Sequence, residues 1–155
     1  MKRDAGFTLV ELAVALSILF VIGGFVIARV DAFSSRQALA SSARTLGNTI
    51  RLYREKAQAE EELYTLRVEL DRGTYTIRCQ GETVRVGKLG PGQSFGKVFT
   101  GPLASLVEVP SPAILNLGPR GLVPETRISI ENPWKEMITL TVGALANEVT
   151  YAELE

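Results

Sequence analysis

The side chain whose chemistry most needs explaining is the carboxylate of Glu11. It lies in the run from Phe7 to Ala28, 22 residues in which Glu11 is the only ionisable group. A carboxylate in the middle of a membrane costs a few kcal/mol and is normally retained for a partner. Between Arg3 and Arg29 the chain has no Lys or Arg. The partner is therefore Arg3, an α-amino group created by cleavage nearby, or a group on another subunit.

The rest of the chain is poor in the residue types that perform catalysis. It has no His, the side chain that most often acts as general base or metal ligand near neutral pH. Cys79 is the only cysteine, so no intrachain disulfide can form. The carboxylates of residues 60–62 are consecutive, and because adjacent helix residues point in different directions they indicate a solvated helix end. We therefore predict a protein that is not an enzyme, with no metal site and no cofactor.

The run from Phe7 to Ala28 has the length of a helix that crosses a membrane, for which about 20 apolar residues suffice. Lys2 and Arg3 precede it, and basic residues beside a span tend to stay in the cytoplasm. The remainder of the chain is then expected outside the cytoplasm. The alternative is a secretory signal peptide cleaved after Val30-Asp31-Ala32, which the length of the run and the charge near its start disfavour.

The sequence around Glu11 resembles a known processing signal. Gly6-Phe7-Thr8-Leu9-Val10-Glu11, behind a short basic leader and ahead of an apolar helix, is similar to the type III signal of type IV pilins and type II secretion pseudopilins. The resemblance implies cleavage between Gly6 and Phe7 by a prepilin peptidase and N-methylation of Phe7. It also implies that Glu11 pairs with the Phe7 amine of a neighbouring subunit in a filament. The leader is then residues 1–6, and the transmembrane half of the helix is residues 7–28.

Helical periodicity continues beyond the span. Apolar side chains recur every three or four residues, which predicts that residues 29–62 form an amphipathic helix half packed on a sheet. They are Leu39, Ala43, Leu46, Ile50, Tyr53 and Ala57. A second stripe consists of Arg29, Arg36, Arg44 and Arg51, and it is predicted to be solvated or to meet acidic heads of neighbouring subunits. Residues 29–59 contain six basic and two acidic residues, whereas residues 60–155 contain nine and thirteen.

Residues 63–155 change to a period of two, which predicts a head of antiparallel β-strands. Hairpins are expected around Asp71-Arg72-Gly73 and between strands near residues 128 and 140, with Cys79 in the core. Trp134, at the tip of the second hairpin, is either a contact anchor or, as we favour, folded back onto the sheet. The predicted fold class is α+β and pilin-like: a long N-terminal helix, transmembrane and then amphipathic, packed on an antiparallel β-sheet head.

A second resemblance covers residues 114–143, where a strand, a glycine-containing turn and a strand pair are similar to the head of the GspH/FimT family of minor pseudopilins and minor pilins. It implies a structural minor pseudopilin of a type II secretion pseudopilus. The implied partners are other pseudopilins or pilins, the prepilin peptidase/methyltransferase and the inner-membrane assembly platform. The implied location is the bacterial inner membrane, single-pass with a periplasmic head, and the filament after assembly.

Two other functions stay open at the level of sequence. One is a FimT-like minor type IV pilin that serves pilus initiation or DNA uptake, and the other is a monomeric anchored or secreted binding domain. Residues 144–155 contain three Glu and no Lys or Arg, and phosphate binding needs positive charge on the contacting surface. Nucleic acid is therefore not expected as a partner.

Overall fold

The computed structural model describes residues 9–102, 104–119, 124–143 and 149–154, with all of their side chains except those of residues 23–33, 71, 153 and 154. The chain divides into two compact units, Met1–Arg36 and Gln37–Glu155. Gly6 and Phe7, the predicted cleavage site, lie outside the described residues.

A single helix, α1, runs from Leu9 to Glu60 over 52 residues. It contains no proline, so nothing in it removes a backbone donor from the helix interior. It ends where Glu61 adopts a left-handed conformation with φ 55°, the backbone geometry that commonly terminates helices. The observed end is two residues before the predicted one at residue 62.

Among the described residues, no helix combines the length and the apolar character that crossing a membrane requires. The predicted span begins at Phe7, outside the described part of the chain, and the side chains from residue 23 onward are not described either. The boundaries of the transmembrane half at residues 7 and 28 therefore stay a prediction.

Within the part of the chain that the structure describes, nine strands follow α1 and form two antiparallel sheets. The strands are β1 Tyr64–Glu69, β2 Thr74–Cys79, β3 Glu82–Lys88, β4 Ser94–Gly101, β5 Val107–Val109, β6 Ala113–Leu117, β7 Glu125–Glu131, β8 Met137–Val142 and β9 Val149–Leu154. Sheet A has the order β3-β2-β1-β6, and sheet B has the order β5-β4-β7-β8-β9. Both predicted hairpins are present, β1 with β2 and β7 with β8. The division into two sheets is a feature that strand periodicity did not predict.

Both sheets pack on the apolar stripe of α1. All six residues of the predicted stripe are buried. On the side of sheet A, the ring of Tyr53 lies 5.4 Å from that of Tyr64 in β1. On the side of sheet B, Gly47 faces Leu140 of β8 and Tyr151 of β9. The stripe is therefore the common centre of one hydrophobic core, as the helical periodicity predicted.

Within the predicted arginine stripe, Arg36 and Arg44 are exposed and Arg51 is half-buried, whereas the side chain of Arg29 is not described. Arg54, a basic residue of α1 outside that stripe, is only 1% exposed. Arg54 lies four residues after Ile50 and one after Tyr53, which places it beside the apolar stripe on the helix surface. The strands that pack on that stripe also cover the aliphatic part of the Arg54 side chain.

Candidate functional site

Glu11 lies in the first turn of α1. The N-terminus of a helix carries the positive end of the helix dipole, so a carboxylate in this turn is favoured. Because Gly6 and Phe7 lie outside the described residues, the structure does not test whether Glu11 pairs with an amine at Phe7. That pairing stays a prediction from the signal sequence.

The helix segment from Leu9 to Ile22 exposes its apolar side chains on every face. Leu9 is 85% exposed and Phe20 is 79% exposed. The hydroxyl of Ser17 donates to the carbonyl oxygen of Ala13 at 2.8 Å, which satisfies it within the helix. An apolar surface of this extent is typical of a segment that contacts lipid or other proteins. The segment is thus suited to an apolar environment, with Glu11 as its one charged group.

A second polar cluster lies where α1 ends. The hydroxyl of Tyr64 donates to the carboxylate of Glu60. The thiol of Cys79 donates to Oε2 of Glu62 at 2.8 Å, and Nε2 of Gln80 donates to the other carboxylate oxygen at 2.7 Å. Glu60 and Glu61 are exposed, as predicted for a solvated helix end, whereas Glu62 is half-buried. The carboxylates of Glu60 and Glu62 also accept hydrogen bonds from side chains of β1, β2 and the turn after β2.

These contacts change the acidity of the groups involved. The hydrogen bond to Glu60 raises the pKa of Tyr64, and burial adds to the effect. The hydrogen bond to Glu62, followed by burial, raises the pKa of the Cys79 thiol. A protonated thiol is a poor nucleophile, so Cys79 acts as a core residue and hydrogen-bond donor, as predicted. Among the described residues, no three or more His, Cys, Asp or Glu side chains are grouped so as to hold a metal ion.

Arg54 connects α1 to the end of β8. Its Nη1 donates to the carbonyl oxygen of Gly143 at 3.3 Å, and desolvation by burial lowers its pKa. A guanidinium stays charged even so. The aliphatic part of its side chain packs in the core while its guanidinium group contacts a backbone carbonyl. Arg54 therefore has a structural role that its position among the basic residues of 29–59 did not predict.

A groove of about 720 Å³ lies on the face of sheet B opposite the core. Apolar side chains of Phe99, Leu106 and Met137 line it, and Glu131 stands where β7 ends. We call it the sheet B groove. Its volume lies within the range of about 300 to 1,000 Å³ that is usual for binding pockets. No motif predicted it, because its lining comes from four strands and a loop.

Trp134 lies in the loop between β7 and β8. Trp134 is 58% exposed, so the expectation that it folds back onto the sheet is wrong. The reason is Asn132, which is buried and whose Oδ1 accepts from the backbone N–H groups of Trp134 and Glu136 at 3.0 and 2.9 Å. These hydrogen bonds fix a tight loop, which holds Trp134 at its tip away from the core.

Two comparisons relate the chain to known proteins. Residues 1–27 match the family model described as the prokaryotic N-terminal methylation motif. No sequence in the collection of curated proteins matches the chain. The motif covers the predicted leader and cleavage site and most of the predicted span.

Two solved structures of the minor pseudopilin EpsH from the type II secretion system of Vibrio cholerae share the fold. One is 16% identical with a TM-score of 0.57 and covers 78% of this chain and 97% of its own. The other is 19% identical with a TM-score of 0.53 and covers 75% and 95%. At these identities the likeness is one of fold. It confirms the predicted class, an N-terminal helix followed by an antiparallel β head of the pilin-like type.

Proposed function

We propose that this chain is a structural minor pseudopilin of a type II secretion-like pseudopilus, cleaved between Gly6 and Phe7 and methylated on Phe7. The observation that carries the proposal is the occurrence of an N-terminal methylation motif over residues 1–27 on a chain whose head has the fold of EpsH. Either feature alone is compatible with other proteins, but together they are typical of a subunit that is processed at the membrane and then polymerised.

The exposed apolar segment of α1 supports an assembly role. In the inner membrane its surface from Leu9 to Ile22 would contact lipid, and in the filament it would contact the same segment of other subunits. Glu11 is the group in this segment that distinguishes one alignment of neighbouring subunits from another. A buried charge without a partner is strongly unfavourable, so pairing with the Phe7 amine of a neighbour specifies register. The function needs no catalytic residue.

The location and partners follow from this proposal. The chain is held in the inner membrane with residues 1–6 in the cytoplasm and the head in the periplasm, and it enters a filament after processing. A prepilin peptidase/methyltransferase, an inner-membrane assembly platform and other pseudopilins are the partners. The FimT-like alternative in DNA uptake is less well supported, because the head is acidic over residues 60–155 and DNA binding needs net positive surface.

The first experiment is mass spectrometry of the mature protein purified from membranes. We expect a chain that begins at methylated Phe7. A chain that retains Met1, or one that begins at Phe33, would contradict the proposal, since the first is unprocessed and the second is the product of a secretory signal peptidase.

The second experiment tests Glu11 in the filament. Glu11→Ala and Glu11→Gln should both remain in the membrane and be lost from purified filaments, because neither carries the negative charge that an ion pair with the amine requires. Glu55→Ala, which removes an exposed carboxylate from the same helix, is the matched control and should enter filaments normally. Incorporation of Glu11→Gln at the level of the control would refute the ion pair.

A further inference from the structure

We propose that two copies of this chain associate through their heads, with the β3 edge of one copy seated in the sheet B groove of the other. The inference rests on the proposed function, because a filament or membrane subunit holds copies of the head on the same side of the membrane. It goes beyond that function by assigning the head-to-head surface and its occupant.

The first observation concerns β3, the free edge of sheet A. Six of its seven residues are exposed, and Val86, at 67%, is among the most exposed apolar side chains of the head. Val86 lies opposite Thr76 of β2, on the face of the sheet that points away from the core, whereas Val84 lies in a bulge of β3. An edge strand presents unpaired backbone groups and is a ready surface for association. Arg85 and Lys88 of this edge have no ion pair within the part of the chain that the structure describes.

The second observation concerns the receiving groove. Phe99, Leu106 and Met137 give it an apolar lining that suits the exposed side chain of Val86. Its cations are already paired: Lys97 with Glu108 at 3.2 Å, and Arg127 with the carboxylate of residue 125 at 3.1 Å.

Glu131 is the charged group of the groove that lacks such a pair among the described residues. Its carboxylate lies over Gly96, where an added Cβ would be 2.6 Å from Oε1. Glycine at this position therefore makes room for Glu131 on the groove floor. Trp134, exposed on the fixed loop that follows, belongs to the residue type most enriched at the centres of protein interfaces.

The third observation is the charge of the two sheets, which selects a second copy as the occupant. The strands of sheet A carry four basic and two acidic residues, whereas those of sheet B carry two basic and four acidic residues. The two surfaces of one chain are thus complementary in the sign of their charge. Complementary surfaces at different places on one molecule give a heterologous contact, which repeats from copy to copy instead of closing as a dimer. In this contact Lys88, which shares a face of β3 with Val86, reaches Glu131.

The test is cross-linking of the full-length chain in membranes of the producing cell. Two differently tagged chains are produced together, one with Val86→Cys and one with Thr139→Cys, a groove residue of β8, and a short bismaleimide is added. We expect a cross-linked species that carries both tags. The unaltered chain controls for Cys79, which is buried and has a raised thiol pKa.

Charge variants then identify the contact. Glu131→Lys in the Thr139→Cys chain should lower the cross-linked yield by at least about fivefold, because a like-charge contact replaces an attractive one. Lys88→Glu in the Val86→Cys chain should restore it. Glu55→Lys, the same charge change on the exposed helix face, should leave the yield unchanged.

Three outcomes would overturn the inference. They are absence of the doubly tagged species, cross-linking of the Val86→Cys chain with itself, which would show edge-to-edge pairing, and loss of yield with Glu55→Lys equal to that with Glu131→Lys. Failure of the proposed function is distinguishable, because it shows as a retained Met1 in the same preparation. A methylated Phe7 without the cross-link rejects only the head contact.

Discussion

Gly47 gives the sharpest test of how α1 packs in the core. It lies in the interior of the helix, where replacing Gly by Ala normally stabilises by about 1 kcal/mol. Here a Cβ would lie 2.5 Å from the hydroxyl oxygen of Tyr151, 3.0 Å from Cγ1 of Val149 and 3.3 Å from Cδ1 of Leu140. The first distance is shorter than any ordinary contact, so β9 or the Tyr151 ring must move.

The expected size of the effect is the difference between two opposing contributions. Overpacking a core site costs about 1 to 3 kcal/mol, and the helix gains about 1 kcal/mol from alanine. Gly47→Ala should therefore lower the free energy of unfolding by roughly 1 kcal/mol. Tyr151→Phe removes the closest atom, so in that background the same substitution should be neutral or stabilising, with a coupling energy of about 1 kcal/mol.

The assay is urea denaturation of residues 29–155, followed by circular dichroism. This fragment is expected to fold alone because every buried core residue lies within it. Asn48→Ala, at the exposed neighbouring helix position, is the control and should stabilise by a few tenths of a kcal/mol. Stabilisation by Gly47→Ala like that at an open helix site, or additive effects of Gly47→Ala and Tyr151→Phe, would refute the close approach of β9.

Two further predictions concern buried polar groups. Because the folded pKa of Cys79 is raised, its proton stabilises the fold below the unfolded thiol pKa and this contribution is lost as pH rises above about 9. Cys79→Ala should flatten the alkaline decline in urea midpoint, and Glu62→Gln should speed alkylation of the folded thiol; unchanged rates would contradict the hydrogen bond. Arg54→Ala should lower the free energy of unfolding by about 3 kcal/mol, since it leaves a cavity and an unpaired carbonyl. Arg54→Met should lower it by only about 1 kcal/mol, because it keeps the packed stem. Equal losses measured by urea denaturation would show that the guanidinium contact with Gly143 dominates.

Much of the fold could be predicted from residues close together in sequence. The stripe from Leu39 to Ala57 depends only on the period of one helix, and both hairpins depend on alternation and a local turn. The fold class followed from these and from the resemblance of the signal at residues 6–11. Of the predicted assembly site, Glu11 lies in the first helical turn, while cleavage and methylation at Phe7 stay predictions.

What the tertiary structure decided concerns contacts between distant segments. Strand periodicity says which residues share a face but not which strands pair, so neither the two-sheet division nor the sheet B groove could be inferred from spacing. The burial of Arg54 depends on strands distant in sequence and on its contact with Gly143 after β8. The exposure of Trp134, which we expected to fold back onto the sheet, depends on the hydrogen bonds by which Asn132 fixes its loop. The reason for a glycine at position 47 is the close approach of Tyr151, which sequence spacing does not reveal. Each depends on long-range packing, whereas the signal around Glu11 is complete within six residues of sequence.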